Sequence, residues 1–331
     1  MVPLGPFENY LVHEFVEDYH EGLMSRRDMI RRVLHITGSV GATVTVLTAL
    51  GVVSVPRAIA AQEAATPSPS GPRSPLSVSA DDPRVVTEEI TFPSGDVTIM
   101  AYQAAPSGRE GATPSPAMAA SPASNDGGLP VVLVCHENRG LTDHIRDVTR
   151  RWAVEGYIAC AVDLLSRQGG TAAISDQASI PGLLTGVDPS RHVADFQAAI
   201  DHYRGQEGVD AGRVGMNGFC FGGGITWRAV TQIQDLTAAA PYYGPPPPLD
   251  QVPNIKAAVF AVYSDDPSDF ANNGRDDLKA ALDKAGVTFE FKVYPNTQHA
   301  FNNDTGPRYN EAVSNAAWKD VTGWFATYLK G

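Results

Sequence analysis

Val214-Gly215-Met216-Asn217-Gly218-Phe219-Cys220-Phe221-Gly222-Gly223-Gly224 is the stretch on which the reading of this chain turns. An apolar, strand-like run ends in Gly-x-Cys-x-Gly and continues as Ile225-Thr226-Trp227-Arg228-Ala229-Val230, which can open a helix. Strand, sharp turn and helix in that order make a nucleophile elbow. Glycines at 218 and 222 let backbone cross closely where a Cβ would clash. Cys220 stands at the apex. A thiol at a helix N-terminus sits among unpaired N–H groups and the positive end of the helix dipole, which favours its thiolate.

Outward from the elbow, strands alternate with helices. Residues 131–135 form a continuous apolar run, as expected of a parallel strand buried on both faces. Residues 147–155 carry a helical pattern, 157–162 the next strand, and 188–206 a helix with Val193, Phe196, Ile200 and Tyr203 at helical spacing. Residues 237–243 and 257–263 read as further buried strands, 276–285 as a helix closed by Gly286, 287–294 as a strand and 309–329 as a last helix. Residues 85–105 look like a hairpin turning at Pro93-Ser94-Gly95-Asp96. Such alternation predicts one α/β domain over 85–331, a doubly wound, mostly parallel sheet behind an N-terminal hairpin.

The bulk numbers agree. A chain of 331 residues with 43% hydrophobic and 19% charged residues can bury a sizeable core. Its formal net charge of −12 argues against nucleic acid as a partner. Cysteines stand at 135, 160 and 220, an odd number without zinc-like spacing, and the first two lie inside apolar runs as expected core residues. His136-Glu137 does not continue as a zinc-peptidase motif, and neither a P-loop nor a convincing dinucleotide fingerprint appears, so neither metal nor cofactor is expected.

The N-terminal part is of another kind. Residues 1–60 read as an extension with an export signal: Arg26-Arg27 precede an apolar stretch over 33–55, and Ala58-Ile59-Ala60 fits a small-x-small cleavage site. The expectation is recognition by the twin-arginine export machinery, a mature chain from about Ala61 in the periplasm or outside the cell, and no stable membrane partner thereafter. The alternative is an uncleaved anchor, since the stretch approaches the ~20 residues a spanning helix needs. Residues 61–84, rich in Ala, Pro and Ser, read as a disordered linker, and 107–128 as a floppy surface insertion.

A Cys nucleophile needs a base, and in an elbow of this kind the partners follow in the order nucleophile, acid, His. His299 is the only one of the eight histidines beyond the elbow, just after a strand ending Val293-Tyr294-Pro295. The acid should follow strand 257–263, where Ser264-Asp265-Asp266-Pro267-Ser268-Asp269 supplies three candidates.

With these residues in place, the chain resembles the dienelactone hydrolases over 85–331. The resemblance rests on Gly218–Gly223, on Val134-Cys135-His136-Glu137-Asn138-Arg139-Gly140, on Leu164-Leu165-Ser166-Arg167-Gln168 and on Tyr294-Pro295-Asn296-Thr297-Gln298-His299-Ala300-Phe301. It implies the α/β-hydrolase fold and a Cys-Asp-His triad of Cys220, His299 and an acid-loop aspartate. Asp269 continues into Phe270-Ala271-Asn272-Asn273-Gly274 much as the family's loop does, with Asp266 the close second. By the same resemblance, backbone N–H groups of Phe221 and Asn138 form the oxyanion hole. Glu137 contacts the resting thiol, and Arg167 pairs with a substrate carboxylate and draws Glu137 away. The chain departs from the family where a second arginine is expected four residues after the His, because Asn303 stands there, with Arg308 as the nearby substitute. The expected activity is hydrolysis of small lactones or esters through an acyl-thioester. A broad carboxylesterase or thioesterase is the enzymatic alternative, and an exported, catalytically silent binding protein the other.

Overall fold

The computed structural model describes residues 6–20, 22, 24–52, 74–108 and 128–330. The expected cleavage site at 58–60, the linker up to residue 73 and the insertion over 109–127 lie outside them. The chain divides into two compact units, Met1–Ser70 and Gly71–Gly331.

The first unit holds three helices, α1 (Pro6–His20), α2 (Arg26–Thr37) and α3 (Val40–Ala49). Ser25 caps α2 by accepting from the Asp28 N–H at 3.2 Å, which sets Arg26 and Arg27 on its first turn, both exposed. Gly38 closes that helix with φ 68°, and Ser39 caps α3. The apolar stretch expected over 33–55 is therefore divided between two helices. Among the described residues no helix is long and apolar enough to cross a membrane.

The second unit is built on an eight-stranded sheet of order β1-β2-β4-β3-β5-β6-β7-β8. The hairpin of β1 (Val85–Ser94) and β2 (Val97–Pro106) turns at Gly95, whose φ of 59° suits glycine, and pairs antiparallel with β4 (Ile158–Val162). From there β3 (Leu129–Cys135), β5 (Val209–Phe219), β6 (Leu236–Tyr242), β7 (Ala258–Ser264) and β8 (Phe289–Tyr294) are parallel neighbours. Helices α4 (Asp143–Val154), α5 (Ile180–Thr185), α6 (Pro189–Tyr203), α7 (Phe221–Gln232), α8 (Arg275–Ala285) and α9 (Glu311–Leu329) connect and cover them. The short α5 has no counterpart among the expected helices.

The period of two along β5 decides what lies on each face. Gly215 and Asn217 point one way: a Cβ on Gly215 would fall 2.5 Å from the Phe325 ring of α9, and Asn217 accepts from the Trp152 indole of α4 at 3.1 Å. Gly218 points the other way, where a Cβ would meet Gly222 and Thr226 of α7 within 2.3 Å. Trp152 packs at 4.8 Å from Trp318 and 4.7 Å from Phe325, so α4 and α9 close over one face as an aromatic layer. Burying a ring system of that size removes ~150–250 Å² from water, about 4–6 kcal/mol.

Residues 74–84, assigned to the linker from composition, begin this unit. The Ser74 N–H donates to Asp304 at 3.1 Å and the Val78 N–H to Asp147 at 2.6 Å. Both acids are buried and joined by Arg151, which donates to Asp304 at 2.8 Å and Asp147 at 2.5 Å, while His144 bonds Asp304 at 2.7 Å. Those partners lie 69 and 230 residues away, beyond what local composition reports.

Candidate active site

β5 ends in the turn its glycines predict. Cys220 adopts φ 57° and ψ −119° as the N-cap of α7, a conformation costing a non-glycine residue of order 1–3 kcal/mol. It is held because nothing bulkier fits around it. A Cβ on Gly222 would lie 2.5 Å from the carbonyls of Cys135 and His136, and one on Gly223 2.3 Å from that of Tyr242. The Cys220 N–H donates to the Tyr242 carbonyl at 3.1 Å, which ties the turn to the adjacent strand end. The other two thiols are packing. Burial pushes Cys135 well up, and Cys160 up to about 12 against a hydrogen bond with Tyr203.

The loops after β7 and β8 complete the constellation. His299 places Nδ1 2.9 Å from Oδ1 of Asp269. Asp269 is buried, takes the Ser264 hydroxyl at 2.5 Å on Oδ2 and the Ala271 N–H at 2.9 Å on Oδ1. Burial alone would raise its pKa, but His299 and these hydrogen bonds hold it below the usual carboxylate value. Burial works against a charged His299 as well, yet Asp269 and the hydrogen-bonded Cys220 thiol together hold the imidazole well above its ordinary value. An imidazole so placed bridges carboxylate and thiol.

The three acids of this loop have three different partners. Asp266 turns back on its own loop, accepting from the Ser268 N–H and hydroxyl at 2.8 and 2.6 Å. Asp265 takes the N–H groups of Asn296 and Thr297 at 2.9 and 3.0 Å, anchoring the loop that carries His299. Only Asp269 of the three meets the imidazole among the described residues. Asn296 and Ala300 flank that imidazole at φ 58° and 60°, so the His299 loop is locally strained as well.

Glu137 and Asn138 follow β3 in a turn closed by the Gly140 N–H on the Glu137 carbonyl at 3.3 Å. Buried His136 fixes that turn from below. Its Nε2 accepts from the Leu164 N–H at 3.2 Å, so its Nδ1 donates to the Glu137 carbonyl at 2.7 Å. Burial lowers its pKa, in keeping with this neutral tautomer. Phe221, the other expected oxyanion donor, is the first residue of α7 and adjoins Cys220.

The residues expected to meet substrate are arranged differently from the expectation. Glu137 Oε2 accepts from the Asn303 amide at 2.5 Å, and Thr305 in turn fixes Asn303 Oδ1 by N–H and hydroxyl at 3.1 and 2.7 Å. Asn303, standing where an arginine was expected, thus holds the carboxylate. Arg167 does not pair with Glu137. It forms a two-pronged ion pair with fully buried Asp195 of α6 at 2.6 and 2.8 Å, and Asp195 also takes the Ser94 hydroxyl at 2.8 Å. Arg308 contributes to the electrostatic surroundings of Tyr243, behind Glu137 and Cys220.

Tyr243 was not anticipated. It follows β6 directly, its ring centroid 4.9 Å from that of His299 and 5.7 Å from that of Phe301. The signal available was its position, since ligands of open α/β sheets bind at the carboxyl ends of the strands.

The comparisons with known proteins fit this geometry. The dienelactone hydrolase family profile matches residues 116–329. A Salmonella typhi protein named "Putative carboxymethylenebutenolidase" is 37% identical over 220 residues, covering 62% of this chain and 80% of that one. A Methylorubrum extorquens protein of the same name is 30% identical over 262 residues, covering 76% and 84%. The crystal structure of a "Putative Dienelactone Hydrolase" from Klebsiella pneumoniae superposes with a TM-score of 0.64 at 31% identity, covering 74% of this chain and 99% of that one. With a thiol at the elbow of an α/β-hydrolase sheet and a match across most of that sheet, this chain belongs to the dienelactone hydrolase family, as a carboxymethylenebutenolidase-like carboxylic-ester hydrolase.

Proposed function

We propose that Cys220, His299 and Asp269 act as a nucleophile–base–acid triad on small lactones or esters. The observation that carries this is the His299 imidazole, bonded to the Asp269 carboxylate and lying against the Cys220 thiol. In this reading the imidazole holds the thiol proton on Nε2, because Nδ1 is committed to Asp269. The thiolate adds to the substrate carbonyl, and the oxyanion is stabilised by the backbone N–H groups of Phe221 and Asn138. Collapse expels the alkoxide or enolate, protonated by His299, and leaves an acyl-thioester. Water, deprotonated by the same imidazole, then releases the acid and restores the thiol. A lactone would keep its leaving oxygen tethered and open to a hydroxy or keto acid.

The test is a burst experiment with p-nitrophenyl esters. A stoichiometric release of p-nitrophenol, with an acyl group on Cys220 seen by mass spectrometry and removed by hydroxylamine, is expected. Cys220→Ala should lose turnover altogether, and full turnover by that variant would overturn the triad and its thioester. A broad carboxylesterase on the same triad is favoured over a strict dienelactone specificity by one observation, the engagement of Arg167 with Asp195.

Export is the remaining part of the proposal. Arg26 and Arg27 are exposed at the start of α2, where a receptor could read them. Replacing both with Lys should retain the protein in the cytoplasm; unchanged recovery outside it would refute this route.

A further inference from the structure

Two adjacent strands of the sheet end in strained corners, and the proposed mechanism uses only one. Beside Cys220 at the end of β5, Tyr243 at the end of β6 has φ 34°, a conformation rare for any side chain and rarer for a bulky one. The corner is fixed from both sides. Its N–H donates to the Val262 carbonyl at 2.7 Å, and Gly244 packs so closely on Gly223 that a Cβ there would lie 2.2 Å from the Gly223 carbonyl carbon. Strain of this kind persists where surrounding structure over-determines it, and it clusters at ligand sites. Here its effect is to lay the Tyr243 ring against His299, Phe301 and Phe219.

The phenol that results is fully buried, and its hydroxyl has no hydrogen-bond partner among the described residues. Burial first, then the nearby Glu137 and Cys220, push its pKa far up, so it is a neutral donor. Glu137 mirrors it. One carboxylate oxygen is held by Asn303, while the buried Oε1 has no partner among the described residues. Leaving such a group unpaired costs ~1–3 kcal/mol, and the two do not satisfy each other. Glu137 and Cys220 both lie within electrostatic reach of Tyr243, so an unused donor and an unused acceptor border the surroundings of the nucleophile.

We propose that Tyr243 and Glu137 Oε1 form a recognition pair for a neutral hydroxyl on the ester or lactone, which accepts from the phenol and donates to the carboxylate. The inference rests on the hydrolase reading and narrows its substrate class. A carboxylate in the same place would confront Glu137, and the arginine expected to receive it is bound to Asp195. A hydroxyl satisfies both orphaned atoms at once.

The full chain would be assayed with p-nitrophenyl butyrate, its 2-hydroxy and 3-hydroxy derivatives, and p-nitrophenyl succinate. We expect kcat/KM for one hydroxylated ester to exceed that for butyrate about tenfold, with succinate the poorest, in line with one or two net hydrogen bonds. Tyr243→Phe, which keeps the ring, should bring the hydroxylated-to-butyrate ratio down about tenfold, towards one. Glu137→Gln should lower the same ratio and raise the relative rate on succinate. Preference of the wild type for succinate, or a Tyr243→Phe loss equal on all four esters, would overturn the pair while leaving the hydrolase reading intact. Inertness of the wild type towards every ester would instead remove that reading and the pair with it.

Discussion

The two halves of this site are built by different means. On the proposed reacting half, Cys220, Asp269 and His299 stand in the turns that follow β5, β7 and β8. On the proposed substrate half, Glu137 is held by Asn303 from 166 residues away and Arg167 by Asp195 from 28, through pairs that belong to no motif. The reacting half is specified locally and the substrate half by tertiary pairing. Chemistry can therefore stay fixed while specificity changes through distant single residues.

The sharpest way to break this division is at Cys220. Cys220→Ala should lower kcat for p-nitrophenyl esters by roughly 10⁴-fold or more, as removal of a triad nucleophile does. Next is the acid loop. Asp269→Asn should cost on the order of 10³ in kcat, because the amide cannot orient and charge the His299 imidazole. Asp266→Asn should stay within about threefold, since its carboxylate is engaged by Ser268 of its own loop. The reverse order would place the catalytic acid at Asp266.

Stability gives the next largest effect. Asp304, which also bonds His144, forms a buried ion pair with Arg151, and Asp304→Asn should cost about 3 kcal/mol in denaturant unfolding. The pH dependence follows with its sign. Asp269 has a folded pKa below its unfolded value of 3.8, so its contribution is present above that pH and lost as pH falls. His299 has a folded pKa above 6.5, so its contribution is complete below 6.5 and lost as pH rises through the raised value. Wild-type stability minus that of Asp269→Asn should therefore be greatest between about pH 4 and 6.5. A flat difference from pH 3 to 9 would show that no ion pair forms.

The smallest expected effect sharpens the substrate half. If Glu137 opposes the thiolate by like-charge repulsion, as the resemblance implies, Glu137→Gln should speed alkylation of Cys220 by iodoacetamide several-fold at neutral pH. Equal rates across pH 6–9 would confine Glu137 to substrate contact.

Much of the reacting half could be read from the chain because it is written in short-range constraints. Glycines at 218 and 222 mark the turn, a strand precedes His299, and β-alternation orders the sheet around them. Asp265, Asp266 and Asp269 could not be separated by spacing, since what distinguishes them is which loop each touches. The apolar run over 33–55 was expected as one stretch, and Gly38 with Ser39 divides it because an αL glycine and a capping serine outweigh mean apolarity. Residues 74–84 looked like tether by composition, whereas Asp147 and Asp304 supply bonds to Val78 and Ser74 that composition cannot report. Tyr243 reads as one more strand residue until its φ is known.

The Asp304 cluster has a consequence for the order in which the molecule is finished. Ser74 and Asp304 are 230 residues apart and Arg151 and Asp304 153 apart, so these bonds close long loops of the second unit. Contacts of such separation carry a large closure entropy and form late. Asp304 immediately follows Asn303, which holds Glu137, and lies five residues after His299. On a growing chain, Cys220 is made and its strand laid down before the base and the carboxylate clamp exist. The thiol therefore meets its proposed partners only after the chain has grown about eighty residues past it, as His299 and Asn303 emerge.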